Sequence, residues 1–304
     1  MKISTSFLFD RATERMSTIQ NKLATTQAQL SVSKQVLSPS DAPDQAAAIQ
    51  RLQGEVERQG SQSKMLKSAL SRYQAEETAL RSANDILTRL KELSIQASND
   101  TLSPKDRQSV GIEMKALRDQ LLSLGNSRDD SGNYLFSGTR VKTPAFIENA
   151  KGEVIYQGDQ TLTRIPAGVE RTVLYTRSGT DVFQRVVRPD GTAIGFFGAI
   201  DQMISAVNTN DTTKIQKSIG DMEQMSDTVN LSIAQTGSDQ QVVQSQLDVL
   251  DETTLRLKST LSDIEDLDYT TAVTKMNKEM LALQAAMGSF SKISSMTLFE
   301  YING

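Results

Sequence analysis

Residues 9–37, FDRATERMSTIQNKLATTQAQLSVSKQVL, place Phe9, Met16, Leu23, Leu30 and Leu37 seven apart, with Ala12 and Ile19 at the intervening apolar position. Thr26 and Ser33 occupy that position in the later repeats. The spacing predicts one helix with a thin, partly polar seam, which is unstable by itself and needs a helical partner. The next stretch, SPSDAPDQAAAI at 38–49, ends that helix. Pro39 and Pro43 disfavour helical backbone at Ser38 and Ala42, while Asp41 is expected to cap a second helix with Pro43 in its first turn. Asp44 suits the positive end of that helix. A plain interhelical turn fits the same residues.

Outward from this break, Leu66, Ala69, Leu70, Tyr73, Leu80, Ala83, Leu87 and Leu90 keep three- and four-residue steps and predict a long helix toward residue 98. Ser103-Pro104 starts another, carrying Val110, Met114, Leu117, Leu121 and Leu124, with its stop at Gly125 or Asn126. From Asp130 to about Gly191 the texture changes to turn residues between short β-branched runs. Strands are expected at 133–136, 154–157, 162–165, 171–176 and 182–187, with a turn at Pro189-Asp190-Gly191. Helical pattern resumes at Phe196 and is expected to pause near Gly237. Positions 243, 247, 250, 254, 257, 261 and 264 then form another four-three seam. After the acidic segment 263–268, Val273, Met276, Met280, Leu283, Met287 and Phe290 form the last.

This order is nearly palindromic: thin terminal helix, break, long helices, β-rich insert, long helices, acidic break, thin terminal helix. The simplest packing brings the two chain ends together as a hairpin-like rod. Thr26, Ser33 and Ser294 make the intrachain seam poor, so further copies are expected to complete it.

Composition narrows the function. The 304 residues include no Cys and no His, which removes thiolate and imidazole nucleophiles, disulfides and ordinary zinc sites. The hydrophobic share of 38% and aromatic share of 5% suit elongated helices with narrow stripes rather than a thick enzyme core. A net charge of -4, spread without a basic block, gives no footprint for nucleic acid. No apolar run approaches a membrane span, and Asp10 and Arg11 interrupt the start before a signal-peptide core, so export without a cleaved leader is expected.

Candidate chemistry is sparse. Asp263, Glu265, Asp266 and Asp268 could ligate calcium, but the loop lacks the Gly and distal Glu of an EF-hand and reads as a solvated acidic turn. Asp129-Asp130 beside Ser131-Gly132 reads as a polar turn, and Ser291-Lys292 is too common a pair to mark a hydrolase. No catalytic residue, metal or cofactor is assigned. The C-terminal methionines offer adaptable apolar surface.

Both ends resemble the bacterial flagellin superfamily, and within it the hook–filament junction branch. The likeness rests on residues 1–50, on GNYLFSGTR at 132–140 and on residues 268–302. Its most specific pieces are Ile3-Ser4-Thr5, Gln29-Leu30-Ser31, Ser38-Pro39-Ser40-Asp41 with Pro43, Asn133-Tyr134-Leu135-Phe136-Ser137-Gly138, and the ending Leu298-Phe299-Glu300-Tyr301-Ile302, which looks like the junction branch rather than filament flagellin. Two departures stand out. Family members often have Gly and a basic pair where this chain has Ser33, Lys34 and Gln35, and many have a second acid where Ala42 stands.

The resemblance implies a mainly α fold, an elongated helical bundle and coiled coil made by both halves of the chain, with a small β-rich insert. Residues 1–44 plus 267–304 form the expected coiled-coil assembly domain. Residues 45–138 plus 192–266 form the helical rod, and 139–191 the outward-facing β-rich domain. The implied role is structural and non-enzymatic, joining the hook, through the first hook-associated protein, to the flagellin filament. Further implied partners are copies of itself in a ring and an export chaperone at the C-terminal region. The implied location is extracellular, on the bacterial flagellum, reached by type III export. The expected assembly interface comprises Phe9, Met16, Ile19, Leu23, Leu30 and Leu37 against Val273, Met276, Met280, Leu283, Met287 and Phe290, with Leu298, Phe299 and Ile302 at the end. Pro39, Asp41, Pro43 and Asp266 mark the crossings between layers. Filament flagellin, a free-standing coiled-coil adaptor, and an enzyme using Asp159 or Asp181 are the competing readings.

Overall fold

The computed structural model describes residues 2–99, 102–168 and 170–302, with side chains described at 7 and over 9–292 within those ranges. It is mainly α, with seven helices and three two-stranded sheets among the described residues. The order is α1 (Lys2–Val32), α2 (Pro43–Ala97), α3 (Pro104–Gly125), β1 (Phe146–Glu148), β2 (Val154–Tyr156), β3 (Arg164–Pro166), β4 (Thr172–Leu174), α4 (Gly179–Val182), β5 (Val186–Val187), β6 (Ala193–Ile194), α5 (Phe196–Thr209), α6 (Thr212–Glu265) and α7 (Tyr269–Ile302). The chain divides into two compact units, one of residues 1–60 and 252–304, the other of 61–251.

In the larger unit, α3 begins where its sequence signals place it. The Ser103 hydroxyl accepts from Asp106 N, Pro104 stands in the first turn, and Asn126 follows the last residue. Leu80, Leu87, Leu90 and Leu93 of α2 are fully buried with Met114 and Leu121 of α3, Ile200 and Met203 of α5, and Met222 and Val229 of α6. Five of the nine phenylalanines gather at one end of this core. Phe183 meets Phe136, Phe146 and Phe196 edge-on at 5.1–5.5 Å, and Phe146 meets Phe197 at 5.4 Å. A second core joins Leu66, Ala69 and Tyr73 to Ile165, Val173, Val243, Leu247 and Leu250.

The insert is three antiparallel hairpins: β1 with β2, β3 with β4, β5 with β6. Arg188 N donates to Thr192 O across the Pro189-Asp190-Gly191 turn, with Gly191 at φ 81°. Three expectations change. Asn133–Phe136 is a turn closed by a single bridge between Arg128 and Tyr134 rather than a strand, and β1 supplies the pairing partner that 154–156 requires. Residues 179–182 form a short helix, so only 186–187 of the expected strand is extended. Helix α6 runs through Gly237 without pause. A lone helical glycine costs only about 1 kcal/mol relative to Ala, and neighbouring Thr236 is fully buried, donating to Glu76 Oε1 at 3.1 Å.

Buried charges fasten the insert to α2. The Arg72 guanidinium, 2% exposed, donates to the carbonyls of Tyr175 at 2.9 Å, Tyr134 at 3.2 Å and Leu135 at 2.9 Å, and pairs with Asp129 at 2.8 Å. Asp129 is drawn below its ordinary range because hydrogen bonds from Asn133 and Ser131, and the Arg72 charge, outweigh the upward push of burial. Arg177 pairs with Glu76 and, at 2.8 Å, with Asp239. Burial pushes Glu76 upward against the pull of Arg177. The motif at 132–138 is thereby explained locally: Leu135, Phe136 and Ser137 are buried, and Gly138 turns at φ 65° with Asp159 packed where a Cβ would stand.

Candidate functional site

Within the smaller unit, α1 and α7 lie side by side. The Tyr269 hydroxyl reaches Ser33 Oγ and Leu30 O at one end, and the rings of Phe9 and Phe290 meet at 4.8 Å farther along, so the helices run antiparallel. Ala12, Met16, Ile19, Leu23 and Leu30 are half-buried and Thr26 is fully buried; each falls on the four-three rhythm of α1. On α7 the matching line is buried Ala272 followed by half-buried Met276, Glu279, Leu283, Ala286 and Phe290.

The structure therefore places the expected interface residues in two groups. Met16, Ile19, Leu23, Leu30, Met276, Leu283 and Phe290 line the intrachain seam, with Phe9 at its edge. Val273, Met280 and Met287, seven apart, form an adjacent exposed stripe at 40%, 41% and 47% exposure. Leu37 lies beyond the end of α1 and is exposed. The side chains of Leu298, Phe299 and Ile302 lie outside the described residues. Reading by large apolar residues missed Ala272, Glu279 and Ala286, which keep the same rhythm with small or charged side chains.

The two chain breaks meet beside this seam. Gln35 N donates to Glu265 O at 2.8 Å and Leu267 N to Ser33 O at 3.1 Å, while Lys34 and Asp266 form an antiparallel bridge. The Glu265 carboxylate pairs with Lys34 Nζ and accepts from Gln53 Nε2 at 3.3 Å. Ser33 takes φ 61°, a left-handed conformation that favours glycine. This stops α1 at Val32, short of the seventh-residue repeat at Leu37.

Pro43 is the first residue of α2, as expected, but Asp41 does not cap it. The Asp41 carboxylate instead accepts from Ser38 N at 2.9 Å and Asp41 N donates to Ser38 O at 3.0 Å, which closes the turn holding Pro39. Asp266 accepts from Ser262 Oγ. Asp268 caps α7 by accepting from Thr270 N at 2.9 Å, Thr271 N at 3.2 Å and Thr271 Oγ1 at 2.7 Å, and the Thr271 bonds hold its carboxyl below the ordinary range. Three of the four acids weighed for calcium are thus engaged in local hydrogen bonds or a salt bridge. Asp159, a candidate for catalysis, accepts from Thr161 N at 3.2 Å in its own turn and from Thr139 N, twenty residues earlier, at 2.8 Å.

An antiparallel helix pair built from both chain ends, in a chain whose middle forms a separate β-bearing helical unit, defines a flagellin-type protein. The "Bacterial flagellin N-terminal helical region" matches residues 3–141 and the "Bacterial flagellin C-terminal helical region" residues 219–302, together more than two thirds of the chain. The chain belongs to the bacterial flagellin family. It is 25% identical over 321 residues to Escherichia coli flagellar hook-associated protein 3, an alignment covering 99% of each chain. Its fold is similar to that of a putative flagellar hook-associated protein from Vibrio parahaemolyticus, with TM-score 0.67 and 19% identity over 74% of this chain and all of that one. A structure described as the flagellar junction protein FlgL from Legionella pneumophila matches with TM-score 0.51 and 18% identity over 67% of this chain and 99% of that one.

Proposed function

We propose that this chain is a non-enzymatic structural protein of the bacterial flagellum, joining the hook, through the first hook-associated protein, to the flagellin filament. The observation that carries the reading is the α1/α7 pair itself. Its intrachain seam is thin and contains Thr26 and Glu279, and the stripe Val273, Met280 and Met287 remains open beside it. Such a pair gains apolar burial when neighbouring copies, the hook-side protein or flagellin cover it. The end-to-end likeness to hook-associated protein 3 supports the same role.

In this reading residues 1–44 plus 267–304 are the assembly domain, 45–138 plus 192–266 the rod, and 139–191 the outward domain. Pro39, Asp41, Pro43 and Asp266 stand at the crossings between layers. The protein works outside the cell, on the flagellum, and is escorted before export by a chaperone at its C-terminal region. Leu37, Leu298, Phe299 and Ile302 join the interface in the assembled state.

The test is Leu23→Asp in the full chain, expressed in a bacterium lacking its own junction protein, with attached filaments counted by electron microscopy. A charge at this half-buried seam position, which neighbouring copies would bury further, is expected to abolish attachment while leaving the larger unit folded. Normal attachment would overturn the reading. The intrachain pairing of α1 with α7 also favours an autonomous coiled-coil adaptor, and limited proteolysis separates the two. Rapid digestion of both ends supports the junction role, and full protection supports the adaptor. Long filaments grown from purified protein alone would identify a filament flagellin instead.

A further inference from the structure

Asp10, Arg11, Glu14 and Arg15 of α1 are all exposed, and among the described residues none takes part in an ion pair. Successive helical residues project about 100° apart, so Asp10 and Glu14 form one column and Arg11 and Arg15 a second column beside it. Lys22, seven residues beyond Arg15 and also exposed, extends the basic column. The basic column borders the seam residues Ala12, Met16 and Ile19, and the acidic column lies farther round the outer face.

Within the single helix this arrangement gains little: the positions four apart carry like charges, which repel, and the one opposite pair at helical spacing, Arg11 with Glu14, forms no ion pair. Against a second α1 helix laid parallel beside the first, the same two columns are complementary, acid of one copy facing base of the next. Contacts repeated that way round are heterologous, the kind that builds a ring where the rotation between copies closes and an open helical array where it does not.

We propose that the columns Asp10/Glu14 and Arg11/Arg15 are the lateral contact between α1 helices of adjacent copies, and that they set which copies can neighbour one another. The proposal rests on the assembly reading above and names the charges through which it acts. Opposed columns favour the correct neighbour and register, and a mismatched neighbour places like charges face to face.

The test uses the full chain in cells lacking their own junction protein. Reversing one column, with Asp10→Lys and Glu14→Lys together, or Arg11→Glu and Arg15→Glu together, is expected to lower attached filaments at least tenfold. Reversing both, with Asp10→Arg, Arg11→Asp, Glu14→Arg and Arg15→Glu, restores complementarity between copies and is expected to recover attachment. Single-column reversals that attach filaments normally, or a double reversal no better than either one, would overturn the proposal.

Two further measurements keep the proposal and the assembly reading separate. If Leu23→Asp attaches filaments normally the assembly reading fails; if it blocks attachment while the column reversals do not, only the present proposal fails. Because the chain has no cysteine, Glu14→Cys and Arg15→Cys chains can be mixed in the assembled state and oxidised. Mixed disulfide dimers in at least threefold excess over either homodimer are expected, and homodimers in equal or greater amount would overturn the contact even where a reversed chain is poorly exported.

Discussion

Lys34 and Glu265, 231 positions apart, close the chain on itself: the Lys34 ammonium pairs with a carboxylate whose side chain is only 12% exposed, beside the main-chain bond from Gln35 N to Glu265 O. The ammonium is half-exposed and returns to water when the acid is removed, whereas the acid is held away from water when the lysine is removed. Lys34→Ala is therefore expected to cost more than Glu265→Gln, by about 1 kcal/mol, with Gln53 as the remaining donor. Urea titrations of the two single variants and the double variant measure the difference, and equal costs would show that the carboxylate is already well solvated.

Ser33 holds a left-handed backbone between α1 and the bridge to Asp266, and its hydroxyl bonds Tyr269. Ser33→Gly relieves the backbone but loses that bond and adds unfolded-state freedom, so its net effect is expected within about 0.5 kcal/mol of zero. Ser33→Val combines a β-branched side chain with positive φ and is expected to destabilise by about 2 kcal/mol. Thermal melts of both variants check the contrast; similar costs would mean that the hydroxyl bond, not the backbone, governs this position.

Arg72 satisfies three carbonyls and Asp129 with one buried fork. A lysine at this position has one ammonium and cannot reach all four groups, so Arg72→Lys leaves buried acceptors unpaired. It is expected to destabilise the larger unit by about 3 kcal/mol, a cost usual for breaking a buried pair from one side. Denaturation followed by tyrosine fluorescence measures it, and a loss below 1 kcal/mol would mean that water replaces the missing donors.

Asp268 has a folded-state pKa below its unfolded value because Thr271 donates to its ionised form. Its contribution is therefore fully present above the ordinary carboxylate range and is lost as the pH falls through the depressed value. Acidification is expected to unwind the start of α7, and Asp268→Asn to remove this part of the pH dependence while keeping an acceptor for the cap. Helical ellipticity of the two proteins between neutral and acid pH checks this, and parallel curves would sink it.

The sequence made the helices legible wherever large apolar residues kept the rhythm, as from Phe9 to Leu30 on α1 and from Val110 to Leu124 on α3. Legibility failed where the decisive residue broke the expected chemistry of its position. Glu76 falls three residues after Tyr73 and four before Leu80, on the buried stripe of α2, yet a charge there reads as surface until Arg177 is brought to it. Glu279 stands likewise between Met276 and Leu283 on α7. A titratable or hydroxyl residue on the apolar rhythm was the available signal. The hairpins were harder because strands of two or three residues carry too little alternation to separate them from turns.

Thr26 and Glu279 share one physical condition: Thr26 Oγ1 and Glu279 Oε2 are buried without a hydrogen-bond partner. A buried hydroxyl left unpaired costs about 1–3 kcal/mol, so this seam is held weaker than its apolar residues would make it. Thr26→Val keeps the branched shape, removes the unpaired oxygen and is expected to stabilise the α1/α7 pair by about 1 kcal/mol. In limited proteolysis the ends of the Thr26→Val chain should survive several-fold longer than those of the parent. Unchanged digestion would mean that the hydroxyl is satisfied in solution, by water or by the helix carbonyl one turn back, and that the thinness of the seam comes from its small residues Ala272 and Ala286 alone.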